Sequence, residues 1–94
     1  MCIGFFRVDL FLPGAASLKD KRQVLRRLKD RLSGRHNLSI AEIDHQDLWQ
    51  RSRLGMVMIG TERAVLDRSL QGVRAEIERL VPGAVVDFSV EYLA

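Results

Sequence analysis

Apolar and polar residues alternate from Cys2 to Leu12, with Cys2, Gly4, Phe6, Val8, Leu10 and Leu12 on one side and Ile3, Phe5, Arg7, Asp9 and Phe11 on the other. This spacing predicts a strand with two distinct faces. Pro13-Gly14 closes it, because proline has no ladder donor and glycine permits a turn. After Ala15 and Ala16, Ser17 is placed to cap a helix whose Leu18, Val24, Leu25, Leu28 and Leu32 recur at helical spacing, with Gly34 as its stop. Leu38, Ile40 and Ile43 mark a second strand over residues 37–45 in which the apolar parity slips, so a bulge is expected near Ala41 or Glu42.

Leu54 to Gly60 is a nearly continuous apolar run, the pattern of a strand with neighbours on both edges. Thr61 is the expected cap of a second helix with a stripe of Leu66, Leu70, Val73, Ile77 and Leu80, ended by Pro82-Gly83. The last strand reads Ala84, Val86, Phe88, Val90 and Tyr92 inward, with Val85, Asp87, Ser89 and Glu91 outward. The order β-α-β-β-α-β, with two helices each burying one stripe, predicts an α+β, ferredoxin-like sandwich: a four-stranded antiparallel sheet with both helices on one face. Right-handed crossovers put the first and third strands in the centre.

Composition limits what this fold can be. Ninety-four residues make one domain, 1–94, with one core. A chain of this size buries only about 60 to 65% of its unfolded surface, so self-association is expected to help stabilise it. The single cysteine, Cys2, cannot form an internal disulfide, and the apolar start is interrupted by Arg7 and Asp9. A reducing, cytoplasmic setting with no membrane segment is expected.

The overall charge of +3 is unremarkable, but its distribution is not. Residues 19–35 hold eight basic and two acidic side chains, a net +6, leaving −3 for the remainder. Lys19, Arg22, Arg26 and Lys29 follow i, i+3, i+7, i+10 and form one ridge beside the apolar stripe. Such a ridge is either a solvated helix face or a contact for phosphates. Lys21 falls near the centre of the apolar stripe, where its stem would cover the core while its ammonium emerges at the sheet edge, and it is counted with the ridge as a candidate nucleic-acid contact.

The segment Asp44 to Arg53, DHQDLWQRSR, gathers a histidine, two aspartates and the only tryptophan into ten residues. In one reading Trp49 offers a stacking face while Gln46, Gln50, Arg51 and Arg53 reach bases or phosphates of single-stranded RNA. A metal site on Asp44, His45 and Asp47 lacks the usual ligand spacing. General-base catalysis by His45 oriented by Asp47 lacks a nucleophile and an oxyanion site beyond Ser52. Alternatively Leu48 and Trp49 fold back on the core and lock the hairpin. No catalytic residue, cofactor or metal is assigned on these grounds.

The odd residues of the first strand face away from the helices. This apolar open face has Phe5 and Arg7 where RNA-recognition-motif domains stack bases, but the run LGMVMIG has no aromatic to complete such a platform. A partner, including a second copy bound through this face or an edge strand, is the alternative expectation.

At SLKDKRQVLRRLKDRL (Ser17 to Leu32) and NLSIAEIDHQDLWQRSRLG (Asn37 to Gly55) the chain resembles the YlxP-like family of small bacterial proteins of unknown function, over essentially its whole length. The resemblance implies a ferredoxin-like single domain without an assigned reaction or cofactor. The family's genes lie among those for transcription antitermination, translation initiation and ribosome maturation factors, which points towards RNA or ribosomes by association. His36 stands where the family pattern leads one to expect an aromatic. Together these readings give a non-enzymatic, RNA- or ribosome-associated protein as the leading expectation, and a homodimeric protein-interaction or regulatory module as its rival.

Overall fold

A computed structural model describes residues 1–94. The elements are β1 (Cys2–Phe11), α1 (Leu18–Arg35), β2 (Leu38–Asp44), β3 (Arg51–Gly60), α2 (Arg63–Leu80) and β4 (Val85–Tyr92). All strand pairs are antiparallel and the sheet order is β2-β3-β1-β4, so β1 and β3 are central and β2 and β4 are edges. Both helices cover the face built from the even residues of β1. Phe6, Val8 and Leu10 meet Leu54 and Met56 of β3, Leu28 and Leu32 of α1, and Val73 and Ile77 of α2 in one fully buried core. No helix is long and apolar enough to cross a membrane.

The local chemistry explains where the elements begin and end. The Ser17 hydroxyl accepts a hydrogen bond from the Asp20 N–H at 3.0 Å, and the Asp20 carboxylate accepts one from the Ala16 N–H, so two free donors at the start of α1 are satisfied. The helix runs through Gly34 and ends after Arg35, where the His36 N–H reaches the Leu32 carbonyl. Thr61 does not cap α2. Glu62 occupies the cap position without a side-chain bond, and Arg63 begins the helix. Gly83, at φ 74°, turns the chain into β4 in a conformation that a Cβ would strain.

Three strand readings are corrected. β3 starts at Arg51 rather than Leu54, because Arg51, Ser52 and Arg53 pair with Phe11, Leu10 and Asp9 and prolong the central ladder. The bulge in β2 falls at Ile43: Glu42 pairs with Leu54 and Asp44 with Arg53, which sends Glu42 towards the helices and Asp44 to the open face. In β4 a second irregularity pairs Leu10 with Val85 and Asp9 with Asp87. Val85 therefore packs on the core and Val86 is exposed, the reverse of simple alternation. Val90, opposite Phe6, also stays exposed at this edge.

Candidate nucleic-acid interface

The ridge on α1 runs beside β2. Lys19, Arg22 and Arg26 are exposed and Lys29 is half-buried. Arg22, Arg26 and Lys29, with Leu25, Asp30 and the Glu42 of β2, line a cleft of about 420 Å³. The ion pairs of the molecule involve Arg7, Lys21, Arg35, His45, Arg53 and Arg79, and none involves Lys19, Arg22, Arg26 or Lys29.

Lys21 does not emerge at the sheet edge. Its side chain is 1% exposed, and its ammonium is enclosed by oxygens: the His45 carbonyl at 2.8 Å, the Glu42 carboxylate at 3.0 Å, and the Gln46 and Arg51 carbonyls at 3.3 Å. A buried ammonium is tolerated only with such partners, and Lys21 is therefore unavailable to phosphates. The Ser52 hydroxyl donates to the same Glu42 oxygen at 2.6 Å. The β2–β3 loop is thus clamped against the first turn of α1, beside the start of the ridge. In the sequence Glu42 stood out only as a place for a bulge and Ser52 only as a lone hydroxyl, neither as a partner of Lys21. The parity slip in β2 concealed that Glu42 points inward, and Ser52 sat within a tract that looked like loop.

The loop is fixed at a second point by Gln50, whose side-chain amide donates to the Pro13 and Ala15 carbonyls at 3.2 and 3.4 Å and whose own carbonyl accepts from Leu12. His45 adopts φ 64°, with its N–H donated to the Asp44 carboxylate at 2.8 Å, and its carbonyl accepts from the Leu48 N–H to close a turn. The Gln46 amide lies 3.5 Å from the Glu42 carbonyl. Leu48 and Trp49 do not fold back on the core; Trp49 is 54% exposed. Asp47 is also exposed. His45 lies 3.8 Å from Asp44 rather than being oriented by Asp47, and no three His, Cys, Asp or Glu side chains converge on a common point.

The remaining arginines of this segment divide. Arg51 is exposed and lies over the Phe11 ring, 5.4 Å from its centroid. Arg53, expected at the phosphate surface, instead grips Asp9 on the open sheet face through two hydrogen bonds of 2.7 and 3.3 Å, with Asp44 at 3.5 Å. Arg7 bonds Asp87 at 2.7 Å, so a line of alternating charge crosses all four strands. The hydrogen bond from Arg53 is the main reason the Asp9 carboxyl is held below its ordinary value, and the same bond raises Arg53. The other half of this face is apolar: Phe5 pairs with Val57 and Ile3 with Ile59, and Ile43 and Phe5 close over Gly55, which has no Cβ to obstruct them.

The architecture is that of the ferredoxin-like α+β sandwiches. The backbone is similar to that of LFR1 1, a de novo designed protein with a ferredoxin fold (TM-score 0.61, 13% identity, covering 100% of this chain and 87% of that one). It is equally similar to SnoaB, a cofactor-independent oxygenase from Streptomyces nogalater (TM-score 0.61, 10% identity, 100% and 93% covered). At these identities the likeness is one of fold alone. Residues 3–90 match the family described as "Protein of unknown function (DUF503)", and the chain belongs to that family. It is also 39% identical over 85 residues to the uncharacterized protein YlxP of Bacillus subtilis (strain 168), across 84% of this chain and 92% of the relative. Neither description assigns a reaction.

Proposed function

We propose that this protein is a non-enzymatic, cytoplasmic RNA- or ribosome-associated factor that binds through the flank of α1 and the clamped β2–β3 loop. The observation that carries this reading is the alignment of four cations without an ion-pair partner on one flank of α1, three of which, Arg22, Arg26 and Lys29, line a single cleft. Unpaired cations along one strip attract a polyanion and release its counterions on contact. Phosphate contacts on the ridge would position the ligand while the loop, held rigid at Lys21 and Gln50, supplies Trp49. The test is binding to labelled RNA and to ribosomal subunits at two salt concentrations, with a Lys19, Arg22, Arg26, Lys29→Glu variant alongside. Salt-sensitive binding lost in that variant supports the proposal; no binding by the unaltered protein at low salt removes it.

A second reading is favoured by the apolar half of the open face, where Val57 and Ile59 are exposed beside Phe5 and Ile3. That half suits a protein surface, including a second copy. Sedimentation across micromolar concentrations separates the two: a concentration-dependent dimer abolished by Val57→Asp supports self-association, and a strict monomer excludes it.

A further inference from the structure

We infer that the ligand of this surface is a single RNA strand rather than a duplex, with its phosphates along the α1–β2 cleft and its bases passing onto Trp49. This rests on the RNA reading above and narrows it. The cleft is bounded by one helix flank and one edge strand, its three cations Arg22, Arg26 and Lys29 all come from the helix, and Leu25 is its one apolar lining residue. Of its two acids, Glu42 is matched by Lys21, leaving Asp30 against Arg22, Arg26 and Lys29. A duplex keeps its base faces stacked and paired, so an exposed indole has nothing to stack on except at an end. An unpaired strand can open its stack at any nucleotide, with no base pair to break, and turn that base face to the indole.

The distances agree with one continuous strand. Lys19, exposed on the ridge beyond the cleft lining, and Lys29 are ten helical residues apart, about 15 Å, and a stacked strand advances about 3.4 Å per nucleotide, so the four ridge cations match four or five phosphates running through the cleft and past its end. The Lys21 clamp also holds the Arg51 carbonyl at 3.3 Å, and Trp49 is two residues before Arg51, hence within about 10 Å of the clamp. At about 3.4 Å per nucleotide, a strand of no more than about eight nucleotides therefore spans both features. The clamp makes this span a fixed quantity: the loop that presents Trp49 is tied to the helix that presents the cations.

The experiment uses a fluorescently labelled, unstructured 12-nucleotide RNA and the same strand annealed to its complement. Because Trp49 is the only tryptophan, its emission reports on one place. The expected result is single-strand binding at least ten times tighter than duplex binding, quenching of Trp49 in step with the label's anisotropy, and a log-log salt slope of about −3 for four phosphates. Trp49→Ala should weaken the single strand about ten-fold or more while Trp49→Phe retains it, which a merely structural role would not predict. Equal binding of the duplex, unquenched Trp49, or displacement by polyglutamate as readily as by RNA overturns the single-strand inference while some polyanion surface survives. If neither RNA binds at 50 mM salt, the RNA reading falls with it.

Discussion

The ammonium of Lys21 and the carboxylate of Glu42 lie 3.0 Å apart beneath the β2–β3 loop, one supplied by a helix and the other by the strand it covers. Neither could be buried alone, and together they orient the His45 and Gln46 carbonyls of the loop and the Arg51 carbonyl at the start of β3. Lys21→Met is expected to cost about 3 to 5 kcal/mol, because Glu42 and the His45, Gln46 and Arg51 carbonyls lose their partner. Adding Glu42→Gln to that variant should recover part of the loss. Urea unfolding of the two single variants and the double variant provides the cycle; strict additivity would mean that the two residues do not act as a pair.

The exposed ridge should behave in the opposite way. Arg22→Glu and Arg26→Glu are expected to change unfolding free energy by no more than about 0.5 kcal/mol, since neither side chain has an ion-pair partner to lose. Thermal melts of these variants, run beside the binding assay, distinguish a lost surface from a lost fold. A drop of several kcal/mol would show that the ridge is structural.

Acid should weaken the open-face ladder. The Asp9 carboxyl is lowered below its ordinary 3.8 chiefly by its hydrogen bond from Arg53. A carboxyl whose folded value is depressed contributes stability above the unfolded value, about pH 4, and loses it as pH falls through the lower folded value. Asp9→Asn should therefore lower stability at pH 7 and flatten the decline below about pH 4. Denaturant titrations between pH 2 and 7 measure this, and an unchanged acid limb would contradict the pairing.

Gly83→Ala should destabilise by about 1 to 2 kcal/mol, because φ 74° places a Cβ in the left-handed region. Gly14→Ala is the control: its φ is not positive, and a Cβ there meets nothing within 4 Å. Equal midpoints for the two variants in denaturant would show that the α2–β4 turn is not held in this conformation.

The pattern of the chain was sufficient for the element order and for the central places of β1 and β3, since helix stripes and a long apolar run are properties of neighbouring residues. It was insufficient where one inserted residue reverses parity. Val86 looked inward until Asp9 and Leu10 set the pairing of β4, and Ile43 had to be recognised as the extra residue before Glu42 could be placed. The candidate site was legible as two separate segments, the ridge and the DHQDLWQR loop. That Lys21 joins them is a long-range fact, hidden because a lysine in an apolar stripe ordinarily sends its charge out to water. Arg53 was misplaced for a related reason: its partner Asp9 lies on another strand.

Beta-2 is an edge strand, so one row of its peptide groups has no sheet partner, and the ridge of α1 stands beside it. Two such edges drawing together with their helices on the same side would bring cations against cations as the backbones approach. In that arrangement the helix would oppose edge-to-edge growth, much as lysines placed directly on an edge do in other β proteins. This opposition weakens as the Debye length contracts, from about 10 Å at 0.1 M salt to about 3 Å at 1 M. Concentrated salt, ordinarily a precaution against nonspecific association of basic proteins, is where turbidity from sheet growth would first develop.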